Sequence, residues 1–334
     1  MNNTLSFPHR VAPRQRVVQC ITETIGNTPM LQLQRLCNEE GTLGQVFAKL
    51  EYFNPAGSIK DRAAKAMFEH ILNTHQHAKL NVIEATSGNS GVACAWLGAI
   101  HQVPVTIVMP EHMSKERQQL IRFYGANLVL TSETDGMPGA MAVAETLLKT
   151  VEGAVSMDQF ANPVNAAEHA RSTAREIWQD MGEDIDVVVT GMGTGGTATG
   201  IGRFLKQQDA SIEIVIAEPS NCPLLSEGKA GSHGIPGVHP GLIPPLLDKR
   251  FIDKVLTVTD DAALDTARRA ARKEGIAVGI SSGATLSVAL SLARQPAYRG
   301  KKIVAIAADG AERYFSTPLF SQLPCDLTPD WQPC

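Results

Sequence analysis

The sequence predicts an α/β protein with two parallel-sheet-rich halves, and three observations carry that reading. Short runs continuous in Val and Ile alternate with helical patterns almost from end to end, as in sheets covered on both faces. The chain has 334 residues, the length of roughly two average domains. Its composition, 43% hydrophobic and 19% charged, is that of an ordinary globular protein.

The elements follow in order. A strand over 46–52 ends in LEYFNPAGSIKDR, where Ser58 and Asp61 have capping-box spacing and predict a helix over 58–75. A strand over 80–85 runs through the turn TSGNS into a helix over 90–101. Strands over 105–109 and 127–131 feed helices over 114–124 and 136–149. After a composition break near 159–163, a helix over 165–181 leads to a strand over 186–190. That strand ends in Gly191-Met-Gly-Thr-Gly-Gly-Thr197, which opens a helix over 197–208. A strand over 212–218 enters a connection, 220–247, rich in Gly and Pro. A connection that long inside a compact fold is usually functional, so it is a candidate wall of a substrate pocket. A strand over 254–259, a helix over 260–274, the turn AVGISSGAT, a helix over 283–294 and a strand over 303–307 complete the series. The first twenty residues and the tail PCDLTPDWQPC read as terminal arms.

Charge and cysteine usage exclude several classes. The net charge is -4, from 30 basic and 34 acidic residues with no long basic block, which argues against nucleic acid or a polybasic membrane patch. No apolar run approaches the roughly eighteen residues of a membrane helix, and no secretory signal is readable at the N-terminus. Six scattered cysteines form no CxxC pair, so neither a disulfide scaffold nor a metal site is expected, and the expected compartment is the cytoplasm.

Several strands end in Gly/Ser/Asn turns that open directly into helices. In parallel sheets such turns gather at the carboxyl ends of the strands and offer unpaired helix N–H groups to an acceptor-rich ligand. The turn 191–197 is the clearest anion cradle. It is not a P-loop, because no Gly-Lys-Ser/Thr follows. Gly191, Gly193 and Gly196 match the dinucleotide fingerprint, with Glu218 placed as a ribose-binding acid. A dinucleotide, another phosphate and simple turn chemistry all fit this segment. Lys60 shifts the balance. It falls in the first turn of the 58–75 helix, where the dipole and partial burial favour the neutral amine that a Schiff base needs. A reactive lysine beside a separate phosphate cradle suggests pyridoxal phosphate over a nicotinamide.

The ordered series NPAGSIKDR, TSGNS, DQFANP, GTGGT, GISSGA and AERYFSTPLF resembles the cysteine synthase (O-acetylserine sulfhydrylase) group of fold-type-II pyridoxal-phosphate enzymes over nearly the whole chain. The resemblance implies the tryptophan synthase β-like architecture with the active site in a cleft between two domains. These would be 51–158, and 1–50 plus 159–320, followed by a tail, 321–334. It implies that Lys60 carries pyridoxal 5′-phosphate and moves the Cα proton. Thr86, Ser87, Gly88, Asn89 and Ser90 would clamp the substrate carboxylate together with Gln159, with Asn89 also near the cofactor's 3′-oxygen. Gly193, Thr194, Gly195, Gly196 and Thr197 would hold the phosphate, and Ser281 would meet the pyridine nitrogen. The implied reaction is β-replacement through an aminoacrylate, O-acetylserine and sulfide giving cysteine and acetate. Relatives are homodimers, and some bind the tail of serine acetyltransferase.

Departures from the family pattern fall near the second substrate. The loop written GIGAGF in sulfide-using relatives reads GVHPGL here, so His239 is either a solvated loop residue or a donor to an anionic sulfur source or leaving group. Asp309 stands where the family has a serine, and Arg175 replaces a proline. O-phosphoserine as donor, and thiosulfate or an amine as nucleophile, stay open on these grounds. An NAD-dependent oxidoreductase is the different-class alternative, resting on the glycine fingerprint and Glu218.

Overall fold

The structure, a computed structural model, describes residues 17–75, 79–86, 88–238 and 241–321. Ten strands form two sheets among these residues: β1 (Met30–Gln32), β2 (Gln45–Leu50), β3 (Asn81–Ala85), β4 (Val105–Pro110), β5 (Asn127–Thr131), β6 (Ala154–Val155), β7 (Val187–Gly191), β8 (Glu213–Pro219), β9 (Lys254–Val258) and β10 (Lys302–Ala307). The larger sheet has the order β1-β2-β10-β7-β8-β9, the smaller one β5-β4-β3-β6. All pairings are parallel except β1 with β2.

Burial on both faces explains why the strands read as continuous apolar runs. Val187, Val188, Val189 and Thr190 are all buried, as are Ile303 through Ala307. The helix Ile280–Ala293 is buried almost throughout and belongs to the core of the larger sheet. It lies close against the helix Asp260–Glu274: a Cβ on Gly283 would overlap the carbonyl of Ala263. A second core under the smaller sheet joins Phe68, Trp96, Leu97, Ile107 and Ile121.

Some predicted boundaries shift, each for a local reason. Strands β1 and β6 are too short, at three and two residues, to show a periodicity in sequence. The helix expected from Ser58 starts at Lys60. The Asp61 carboxylate accepts from the Ala56 N–H at 2.7 Å as well as from the Ser58 hydroxyl at 3.4 Å, so it locks the preceding turn. The helix expected over 165–181 is two, Pro163–Arg171 and Thr173–Asp180, joined at Ser172, whose hydroxyl bonds back to the Glu168 carbonyl. The helix expected from 283 begins at Ile280, which puts Ser281 in its first turn.

The topology brings the site together. In the larger sheet β10 lies between β2 and β7, so the turn leading to Lys60, the segment 308–310 and the glycine turn leave three adjacent strand ends. Ile59 N–H donates to the Ala308 carbonyl at 2.9 Å, and Gly279 N–H donates to the Asp309 carbonyl at 3.0 Å. These bonds fix the Lys60 turn and the Ser281 helix to the end of β10.

Candidate active site

Two adjoining cavities occupy this region. One is lined by Lys60, Thr86, Gly88, Asn89, Ser90, Arg117, Gln159 and Ser281 among others. The other is lined by Lys60, Ser281 and the glycine turn, including Gly193, Thr194, Gly195 and Thr197. Ser87 and His239 lie outside the described residues, as does the segment 322–334. Gly237 and Val238, from the long connection, line both cavities.

Lys60 sits half-buried where the cavities meet. Burial lowers its pKa, and the charge of Asp309 works in the opposite direction. The result is an amine closer to its nucleophilic neutral form than a surface lysine.

The glycine turn opens the helix Gly196–Gln208, with Gly195 in the left-handed conformation at its N-cap (φ 81°). Side chains would close the space here. A Cβ on Gly193 would lie 2.8 Å from the Gly237 carbonyl, and one on Gly196 would overlap the Asn165 carboxamide. Thr194 accepts from Asn165 at 3.1 Å and from the Gly196 N–H at 3.3 Å. The Thr197 hydroxyl lies 3.3 Å from Nε2 of His169. His169 is held well below the ordinary imidazole pKa by burial and by the charges of Lys60 and Arg62, so it stays neutral. Backbone N–H groups at a helix start, flanked by hydroxyls, suit a phosphate.

The TSGNS turn converges on the other side. Gly88 N–H donates to the Thr86 hydroxyl at 3.2 Å, and the Ser90 hydroxyl donates to the Gln159 carboxamide at 2.5 Å. Asn89 is held at both ends: its amide donates to Asp309 at 2.6 Å, and its oxygen accepts from Arg313 at 2.8 Å. Gln159 follows a segment anchored by Glu84. That buried carboxylate accepts from the Ser156 hydroxyl at 2.8 Å, Met157 N–H at 3.1 Å and Gln159 N–H at 3.4 Å. Burial pushes its pKa up to about 7.

Several of these neighbours escape sequence reasoning. Arg117 stands in the polar run KERQQ, which reads as a solvated helix start, yet it is 3% exposed and lines the cavity. Glu84 reads as an ordinary strand residue and His169 as an ordinary helix residue. Asp309 is legible as a substitution, but its bonds to Asn89, to Tyr314 at 2.6 Å and its approach to Arg117 at 3.5 Å are not. Arg175, unassigned from sequence, stacks its guanidinium over Phe204 on the surface. Glu218 has a structural task. Its carboxylate accepts from Leu225 N–H at 2.5 Å, Ser226 N–H at 3.1 Å and the Ser226 hydroxyl at 2.5 Å, and the residue lines neither cavity.

Comparison with known proteins gives one consistent result. The family profile described as "Pyridoxal-phosphate dependent enzyme" matches residues 21–309. A relative named cysteine synthase 3 from Caenorhabditis elegans is 40% identical over 312 residues, covering 93% of this chain and 92% of the relative. The crystal structure of cysteine synthase from Entamoeba histolytica superposes with a TM-score of 0.89 at 36% identity, covering 95% of this chain and 94% of that one. That of an O-ureido-L-serine synthase superposes with a TM-score of 0.88 at 38% identity, covering 94% and 98%.

Proposed function

The chain belongs to the pyridoxal-phosphate-dependent enzyme family, in its fold-type-II architecture, and from that premise we propose that it catalyses β-replacement on an activated L-serine. The donor is O-acetyl-L-serine, the nucleophile sulfide, and the products L-cysteine and acetate. The observation that carries the reading is the convergence on one cleft of the Lys60 amine, the glycine cradle and a donor-lined turn. In this proposal one lobe spans 51–158 and the other 1–50 with 159–320.

The residues fit the cofactor of the family, pyridoxal 5′-phosphate. Lys60 offers an amine of lowered pKa for its aldehyde. Gly193, Thr194, Gly195, Gly196 and Thr197 form a cradle that side chains at Gly193 and Gly196 would obstruct. Ser281 lines both cavities and presents a neutral hydroxyl for the ring nitrogen. When bound, the cofactor supplies the electron sink for breaking the Cα–H bond. Lys60 then takes the Cα proton at its Nζ and returns it after the new bond has formed. Thr86, Ser87, Gly88, Asn89, Ser90 and Gln159 orient the substrate carboxylate, so positional entropy is lost on binding and not in the chemical step. His239 serves the second substrate or leaving group in this proposal. His239→Ala is expected to change the preference among sulfur donors more than it changes donor activation, and equal losses in both would refute the role.

The likeness to an O-ureido-L-serine synthase, as close as that to a cysteine synthase, favours a second reading in which the nucleophile is not sulfide. Thiosulfate or an amine as nucleophile belongs to that reading, and O-phosphoserine is the alternative donor in either. The protein acts as a homodimer in the cytoplasm in our proposal, and serine acetyltransferase is a possible docking partner; among the described residues no helix is long and apolar enough to cross a membrane.

The test is the visible spectrum of the holoenzyme. Adding O-acetylserine without a nucleophile is expected to shift the cofactor band, and sulfide to restore it with stoichiometric cysteine. A band indifferent to O-acetylserine but shifted by O-phosphoserine would move the assignment to the other donor. Restoration by an amine or thiosulfate but not by sulfide would move it to the other nucleophile.

A further inference from the structure

The proposed carboxylate clamp is made of neutral groups. Thr86, Gly88, Asn89, Ser90 and Gln159 bring hydroxyls, carboxamides and backbone N–H groups, and none brings a charge. A carboxylate taken out of water is held more firmly where a positive charge stands near its neutral donors. Among the described residues lining this cavity the only cationic types are Lys60 and Arg117, and Lys60 is the cofactor anchor.

Arg117 stands directly behind the clamp. A Cβ on Gly88 would lie 3.2 Å from its Nε and 3.3 Å from its Cζ, so the guanidinium abuts the turn itself. The side chain is 3% exposed and stacks over the Tyr314 ring at 4.6 Å. Its Nε has no hydrogen-bond partner, an unusual state for a buried donor. Its carboxylate neighbour, Asp309, is 3.5 Å from one terminal nitrogen. The same Asp309 oxygen also accepts from Asn89 and Tyr314, both at 2.6 Å. Arg313, likewise buried, lies beyond Asn89, with its Nε 3.7 Å from the Glu312 carboxylate. The Arg117 guanidinium therefore abuts the clamp turn with its Nε–H unspent.

We propose that Arg117 is the charge source of the carboxylate clamp, a specificity-determining residue that makes the site select amino acids with a free α-carboxylate. The inference rests on the reading of the site given above. Asp309 tunes it, since the acid placed where relatives carry a serine partly offsets the guanidinium.

Isothermal titration calorimetry of the holoenzyme with L-serine and L-serinamide, at one pH, tests this without turnover. The wild type is expected to bind serine more tightly. Arg117→Met should cut serine affinity at least tenfold, with serinamide affinity changed less than twofold, and Arg117→Lys should restore much of the preference. Asp309→Asn gives an independent arm, expected to raise the preference for serine over serinamide. Equal weakening of both ligands by Arg117→Met, or unchanged discrimination, would overturn the proposal. If Arg117→Met does not fold, an Asp309→Asn protein whose preference stays flat or falls overturns it alone. A wild type that binds neither ligand would instead overturn the reading of the site on which the proposal depends.

Discussion

At the scale of single residues, the site combines groups that sequence motifs single out with groups that only packing reveals. Lys60 was readable from its place in the first turn of a helix beside a Gly/Ser turn. We expect Lys60→Ala to abolish turnover, because in our proposal one amine serves as both anchor and base; rapid Cα–deuterium exchange by that variant in D₂O would remove the second role. Glu84 was not readable, because nothing in IEATSGNS marks its carboxylate as the acceptor of three bonds from 156–159. Those bonds require the ionised form, and burial raises its pKa to about 7. As pH falls through that value the carboxylate gains a proton and the Gln159 segment loses acceptors. The KM for the amino-acid donor should therefore rise on going from about pH 8 to about pH 6. Glu84→Gln should show a high KM at both ends, so a parallel pH dependence in the two proteins would exclude the carboxylate as its source.

At the scale of elements, turns following strands do most of the positioning. The glycine turn works because its backbone can approach both Gly237 and Asn165, and the helix behind it starts at Gly196. Gly196→Ala should push Asn165 away from Thr194 and crowd the cradle. Overpacking of this kind costs roughly 1–3 kcal/mol, or on the order of tenfold or more in cofactor affinity, measurable by titrating apoenzyme with pyridoxal phosphate. Unchanged affinity would mean the cradle relaxes freely. The series of strand-turn-helix units was visible in sequence because β-branched runs, glycine turns and helical spacing are local signals. The antiparallel β1 and the two-residue β6 were not, since their pairing depends on partners far along the chain.

At the scale of the whole molecule, a buried charge network joins the N-terminal segment to two helices. Arg62 bonds Glu51 at 2.7 Å and Glu176 at 2.6 Å, while Lys49 bonds the Thr28 carbonyl at 2.7 Å and Asp180 at 2.8 Å. Arg62→Met would leave Glu51 without its guanidinium inside the protein. Breaking a buried pair on one side costs roughly 3–5 kcal/mol, which urea unfolding at neutral pH should register; a loss under about 1 kcal/mol would show that the carboxylates relax or protonate without penalty. Burial raises the Glu176 pKa, but the Arg62 hydrogen bond and the charges of Arg62 and Lys49 outweigh it and hold the group down to about 2, against an ordinary value of 4.5. Its contribution is therefore present above the ordinary value and is lost as pH falls toward about 2. The wild type should lose more stability than Arg62→Met across that acid interval.

The α/β class and most strand-turn-helix units were legible because periodicity, glycine placement and capping act over a few residues, and the cofactor was legible from Lys60, the glycine cradle and the family motifs around them. The tertiary structure shows why the Lys60 turn and the glycine turn lie side by side, since β10 lies between β2 and β7. It also decided that Arg117 is buried against the turn at Gly88, that Glu84 carries the Gln159 segment, and that Glu218 bonds backbone 225–226. The first two depend on contacts between residues distant along the chain, and burial sets the charge state and bonding of a polar side chain more than its neighbours in sequence do.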